Sequence, residues 1–310
     1  LSPTVSIAVL NYQRRDALRR ALAAAREQRW PSLEIIAVDN ASTDGSCEMV
    51  RDEFPDVHLV ALSANIAAAA RNEGVRAAKG DIVFTLDNDV LFTTPDDVAQ
   101  AVAVFERHPR AAVVNFAILG PDGALSRRDW CHPRDPRTWA EREFLTDYVL
   151  EGASACRREA FLASGGYWPP FFIGHEGWDL ALRLLDAGHD LVYTPTVRVR
   201  HMVDPTARPS SRIYYTFTRN AVWVALRNER PPEAAGTILR DLVLMAFAAA
   251  RAGEPRAWCR GVRDAVRGIP QALAARRPMS EATARRLRAL RALKPSLVAR
   301  AVRHARERLI

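Results

Sequence analysis

No stretch of this 310-residue chain reaches the roughly 18 uncharged apolar residues that a membrane-spanning helix needs. The longest apolar run, Leu242 to Ala250, is half that length. Cysteine is scarce and scattered. Cys47, Cys131, Cys156 and Cys259 show no C-x-x-C spacing, which argues against a disulfide framework or a zinc site. Free thiols in a reducing cytosol are the expectation. No signal-peptide pattern opens the chain, because Leu1-Ser2-Pro3-Thr4-Val5 runs directly into a strand pattern. A cytoplasmic protein is expected. Excess positive charge is missing from most of the chain. Residues 251–310 carry 16 Lys and Arg against 4 Asp and Glu, which leaves 28 against 32 for the rest. Nucleic-acid-reading surfaces spread basic residues over the reading face, so no nucleic-acid partner is expected.

What is present is soluble globular composition, 48% apolar and 26% charged, in a chain long enough to bury a large core. Short apolar strand patterns alternate with helical patterns through the first two-thirds. Val5 to Leu10, Leu33 to Val38, Val57 to Ala61, Asp81 to Leu86 and Ala112 to Leu119 read as strands. Arg15 to Gln28, Ser46 to Phe54, Ile66 to Ala78 and Pro95 to His108 read as helices. Such alternation marks βαβ units and a mostly parallel sheet, an α/β fold. Right-handed crossovers then set the strand ends along one edge, where open α/β folds bind ligands. Tyr12, Asp39, Asp44, Asp87 and Asp89 fall on that edge.

The stretch Thr85-Leu86-Asp87-Asn88-Asp89-Val90 stands out, because a buried strand ends there in two carboxylates two residues apart. Close carboxylates repel unless a positive group lies between them. A hard divalent cation, Mn²⁺ or Mg²⁺, holding phosphate oxygens is the usual solution. A solvated turn is the alternative. Residues 120–148 are irregular and read as a loop or flap over the edge. Further on, Glu176 and Asp179 share one face of a helix start. Asp190 to Tyr193 and Val197 to His201 read as two short strands, the second ending in a lone histidine. From about Ala207 onward the pattern is helical only, giving a domain of residues 1–206 and an Arg-rich helical subdomain of 207–310.

Five stretches taken together resemble the inverting family 2 nucleotide-sugar glycosyltransferases of the GT-A fold, in their rhamnosyltransferase-like branch. They are Val5-Ser6-Ile7-Ala8-Val9-Leu10-Asn11-Tyr12, Val38-Asp39-Asn40-Ala41-Ser42-Thr43-Asp44-Gly45-Ser46, Ala70-Arg71-Asn72-Glu73-Gly74, Leu86-Asp87-Asn88-Asp89, and Glu176-Gly177-Trp178-Asp179-Leu180-Ala181-Leu182-Arg183. They span residues 4–205 in the family's order. The resemblance implies a Rossmann-like catalytic domain that moves a sugar from a nucleoside-diphosphate sugar (UDP-, dTDP- or GDP-linked) to an acceptor hydroxyl on a glycan, lipid-linked or natural-product acceptor. It implies that Asn11 and Tyr12 flank the base and that Asp39 accepts the base's ring N–H. It also implies that Arg71 and Asp87 hold the nucleotide, and that Asp87, Asp89 and His201 hold the metal.

One position departs from the family pattern. The resemblance implies an adjacent Glu-Asp pair whose Asp deprotonates the acceptor, but residue 177 is Gly. Glu176 is favoured as base, with Asp179 or His175 as alternatives, and Gly177 is expected to supply a backbone turn that brings Glu176 forward. Two rival classes stay open. A nucleotidyltransferase would carry a Gly-rich loop near the first strand, and residues 5–30 hold no Gly. A non-catalytic sugar-nucleotide-binding protein would fit the missing Asp. In the tail, Leu287, Leu290, Leu293, Leu297 and Val298 alternate with Arg288, Arg291, Lys294 and Arg300. That pattern suits peripheral contact with the inner face of an anionic membrane, or packing on the catalytic domain or on a second copy in a homodimer.

Overall fold

The computed structural model describes residues 2–202 and 210–292. Nine strands among these residues form one curled sheet. They are β1 (Val5–Asn11), β2 (Leu33–Asp39), β3 (His58–Ala61), β4 (Ile82–Asp87), β5 (Val90–Phe92), β6 (Ala111–Leu119), β7 (Phe144–Leu145), β8 (Ala153–Arg157) and β9 (Asp190–His201). Their order across the sheet is 3-2-1-4-8-6-9-5, with β7 paired to β9. The half built from β3, β2, β1 and β4 is parallel, as is the β6–β9 pair. β8, β5 and β7 run antiparallel to their neighbours.

The parallel half follows from its sequence. β1, β2 and β4 are nearly continuous apolar runs, buried on both faces, which only a sheet covered by helices on each side can satisfy. The crossovers are α1 (Arg15–Arg26), α2 (Ser46–Glu53), α3 (Ala70–Ala77) and α4 (Asp97–Arg107). On one face Leu18, Leu22, Val50 and Phe105 pack against Ile7, Phe84 and Phe116. On the other, Ala70 and Val75 join side chains from α6 (Arg158–Ala163) and α7 (Glu176–Asp186) over Ile36, Val38 and Val83. The short α5 (Pro136–Trp139) lies in the segment read as irregular. That segment closes on its own cluster, in which Trp130, His132 and Phe144 surround the buried Tyr193.

Two features differ from the sequence reading. β9 is a single strand rather than two, because its register against β6 shifts around Pro195, whose missing N–H is set in the irregularity. A short strand, β5, follows directly after the acidic turn and pairs with the end of β9.

The C-terminal region is helical as expected: α8 (Ser210–Asn228), α9 (Pro231–Arg251), α10 (Pro255–Arg267), α11 (Ile269–Ala274) and α12 (Glu281–Arg291). The expected boundary at 206/207 lies outside the described residues, as do Leu293, Lys294, Leu297, Val298 and Arg300. α8 is fastened to the part of the chain that carries the sheet. Asn220 donates to the carbonyls of Phe171, Ile173 and Gly174, at 3.0, 3.0 and 2.6 Å. α12 is fastened too: its Leu287 is buried, Arg286 pairs with Asp190, and Arg291 Nε donates to Asp147 at 2.9 Å.

Candidate active site

Strand register assembles the site. Asn11 on β1 pairs with Asp39 on β2, and Leu10 on β1 with Asp87 on β4, so the three strands end level with one another. Asn11 Nδ2 donates to Asp39 Oδ1 and to Ser46 Oγ, both at 2.9 Å, and its Oδ1 accepts from Asn88 Nδ2 at 2.7 Å. Asp39 Oδ2 accepts the N–H of Ser42 at 2.8 Å. Asn11, Asp39 and Asn88 are buried, whereas Tyr12, one residue beyond the strand, is 45% exposed and presents an aromatic face at the rim. Asp44 serves the loop instead. It caps α1 through the N–H of Arg15, at 2.8 Å, and holds Ser46 through Oγ, at 2.6 Å.

The acidic turn lies between β4 and β5. Asp87 is ion-paired with the buried Arg71 of α3. Gly152 crosses so close to Asp87 that a Cβ there would overlap the carboxyl group. Asp89 faces His201 Nε2 and Arg14, both at 3.5 Å. His201 Nδ1 lies 3.2 Å from Asp129. Burial and the neighbouring Asp87 push the Asp89 carboxyl above its ordinary range. For His201, burial alone would lower the pKa, but the hydrogen bond to Asp129 and the charge of Asp89 outweigh it and raise it. Sequence reasoning missed Arg14 and Asp129. Asp129 sits in the irregular segment, and no periodicity or spacing there marks it.

The head of α7 forms the second part. His175 precedes it with φ 68°, and burial lowers its pKa to about 4, so it is neutral between Trp178 and Phe217. Glu176 is buried, and its Oε2 has no hydrogen-bond partner among the described residues. Burial, reinforced by the nearby Glu151, raises its pKa to about 8. Asp179, a candidate base from the sequence, is fully buried and both its oxygens are engaged. Oδ2 accepts from Arg183 at 2.7 Å, while Oδ1 takes Asn228 at 2.7 Å and pairs with Arg227. Gly177 makes no turn. It lies inside the helix without a positive φ, and the left-handed residues are Gly174 and His175.

Among the described residues, no three His, Cys, Asp or Glu side chains are gathered as a ready metal cage. Asp87, Asp89 and His201 nonetheless give two carboxylates and an imidazole on one rim, donors that suit Mn²⁺ or Mg²⁺ when phosphate and water complete the shell.

The sequence model "Glycosyl transferase family 2" matches residues 6–164. Among curated relatives, the O-antigen biosynthesis protein RfbC of Myxococcus xanthus is 25% identical over 254 residues, which are 74% of this chain and 20% of that protein. The chain therefore spans a fifth of that relative's length. The N-acetylglucosaminyl-diphospho-decaprenol L-rhamnosyltransferase of Mycobacterium tuberculosis is 24% identical over 235 residues, 65% of this chain and 76% of that one. Among solved structures, the mannosyltransferase PcManGT from Pyrobaculum calidifontis, in complex with GDP-Man and Mn²⁺, aligns with a TM-score of 0.57 at 22% identity. That alignment covers 97% of this chain and 83% of the other, a likeness of fold.

Proposed function

The chain belongs to glycosyl transferase family 2, and from that premise we propose that it moves a sugar from a nucleoside-diphosphate donor to an acceptor hydroxyl, with a divalent cation and with inversion. The observation that carries the proposal is the level ending of three parallel strands. It brings the buried Asp39, the Arg71–Asp87 pair and Asp89 with His201 to one edge.

Each residue's role follows from its chemistry. Asp39 keeps lone pairs beyond the two hydrogen bonds it already accepts, enough for the ring N–H of a uracil, thymine or guanine base. Asn11 holds Asp39 in place, and Tyr12 offers a face for the base. Arg71 supplies planar donors for diphosphate oxygens once it shares Asp87 with the donor. Asp87, Asp89 and His201 would hold Mn²⁺ or Mg²⁺. The cation would offset the charge that gathers on the departing diphosphate. Of the α7 carboxyls, Asp179 is committed to arginines, which leaves Glu176 as the one with an unpartnered oxygen among the described residues. The decaprenol-linked acceptor in the mycobacterial relative's name favours a lipid-linked acceptor here.

A thermal-shift panel of UDP, dTDP and GDP, each with and without Mn²⁺, tests the reading. We expect one nucleotide to stabilise the chain only when Mn²⁺ is present. Asp89→Ala should abolish the Mn²⁺ dependence, and Asp39→Ala should weaken nucleotide binding about 10- to 100-fold, the loss of a buried charged acceptor. Stabilisation that is indifferent to EDTA would refute the metal assignment.

A further inference from the structure

The gap at residue 177 is filled from another element. A Cβ built on Gly177 would run into the carbonyl oxygen of Val149 and the carboxyl group of Glu151. Glycine at 177 is therefore required by space, because the loop from Val149 to Gly152 presses directly against the first turn of α7. What lies in that space is itself a carboxyl. Glu151 Oε1 accepts the N–H of Gly177 at 2.6 Å, at the positive end of the helix, where a carboxylate is favoured. Beside it, Glu176 is buried with one oxygen lacking a partner. Glu151 as a residue is less buried than Glu176, and both carboxyl groups lie deep in the protein.

We propose that Glu151 takes the place of the acid absent from position 177 and is the group that receives the proton of the acceptor hydroxyl, with Glu176 as its partner. This rests on the glycosyltransferase reading above. In the step, the acceptor O–H bond breaks and its proton passes to Glu151. The oxygen's electron pair forms the bond to the anomeric carbon. The bond from that carbon to the β-phosphate oxygen breaks, and its electron pair leaves with the nucleoside diphosphate. Burial raises the proton affinity of both carboxyls, and the charge of Glu151 adds to it at Glu176. Burial raises the Glu151 carboxyl above its ordinary range, with the charge of Arg71 and the Gly177 N–H opposing it. Of the two, Glu151 is the carboxyl that the helix N–H anchors in the space a side chain at 177 would fill, and it is the one placed to accept. The sequence held a trace of this, since Glu151 directly precedes Gly152, whose missing side chain makes room for Asp87.

The test uses the full chain with Mn²⁺ and three donors as probes: UDP-N-acetylglucosamine, GDP-mannose and dTDP-rhamnose. Release of nucleoside diphosphate to water is measured beside thermal shift with the matching nucleotide. Glu151→Gln keeps the oxygen that accepts from Gly177 but cannot take a proton. We expect its nucleotide shift to match wild type while release falls about 100-fold. Glu151→Ala leaves a carboxylate-sized space at the helix end. Formate at 0.1 M or so should raise its release about tenfold, and chloride at the same ionic strength should not. A merely structural glutamate would tolerate Gln and ignore formate. If Glu151→Gln turns over like wild type, or formate fails to rescue Glu151→Ala, the assignment of Glu151 is overturned while the glycosyltransferase reading stands. If wild type neither binds a nucleotide nor releases one from any probe, both fall together.

Discussion

At the residue scale the site holds one acid almost wholly out of water, Glu176, and its titration shows the consequence. Its pKa is raised to about 8 by burial and by Glu151, against an ordinary value of 4.5. The folded chain therefore holds a proton that the unfolded chain releases once pH exceeds the ordinary value. Between those two values the native state binds more protons, so stability falls as pH rises. The penalty is absent below the ordinary value and complete above about 8. Glu176→Gln imitates the neutral form and escapes it. We expect the variant to be more stable than wild type at pH 8, by about 1.4 kcal/mol for each pKa unit of elevation that the site imposes. The gap should close toward pH 5. Chemical denaturation of both proteins at pH 5 and pH 8 measures it, and a constant gap would disprove the buried neutral carboxyl.

At the element scale, α7 is held from both sides. The loop before it hangs from Asn220 of α8 through three carbonyls, and Arg219 of α8 donates to the Phe171 carbonyl at 2.6 Å. Its middle is tied by Asp179 to Arg183 on the same helix and to Arg227 and Asn228 at the end of α8. The C-terminal helices thereby clamp the start of α7, where Glu176 stands. Asp179→Asn removes the charge that Arg183 and the buried Arg227 share. Breaking one partner of a buried pair typically costs 3–5 kcal/mol, so a fall in stability of about that size is expected. Nucleotide binding at temperatures where the variant stays folded should change little. Loss of turnover with stability intact would instead mark Asp179 as a base.

At the scale of the whole molecule, the C-terminal helices carry an uneven surface. Leu239, Val243 and Phe247 recur every fourth residue along α9 and are 68%, 57% and 66% exposed, an apolar stripe on one helix face. α10 exposes Arg256, Arg260, Arg263 and Arg267. No helix among the described residues is long and apolar enough to cross a membrane. The basic patch and apolar stripe suit contact with an anionic bilayer surface, at roughly 1 kcal/mol per basic residue near the headgroups. The full chain should co-sediment with phosphatidylglycerol liposomes, less so at 0.5 M salt or so, and Leu239→Ser with Phe247→Ser should weaken it further. Absence of co-sedimentation with a doubled mass by light scattering would assign the stripe to a second copy of the chain. The half of the expected tail helix that is described, α12, spends Leu287, Arg286 and Arg291 on the catalytic half.

The sequence by itself determined the alternation of strands and helices through the parallel half and the edge on which Asp39, Asp87 and Asp89 gather, whereas Arg71 came from the family resemblance alone. Those depend on short-range signals: unbroken apolar runs, Gly and Pro punctuation, and polar residues placed just past strand ends. Only the tertiary structure decided how the residues around them are partnered. Asp179 and Glu176 stand three apart at one helix start, yet one is locked in ion pairs reaching α8 and the other is left with an unpartnered oxygen. Gly177 read as a missing acid or a flexible turn, and became a contact surface once Val149 and Glu151, the latter 26 residues upstream, arrived beside it. Asp129 joined His201 across 72 residues, from a segment without any regular pattern. Contacts of that kind are set by how the sheet curls and which loops it brings together, and no local pattern of residues encodes them.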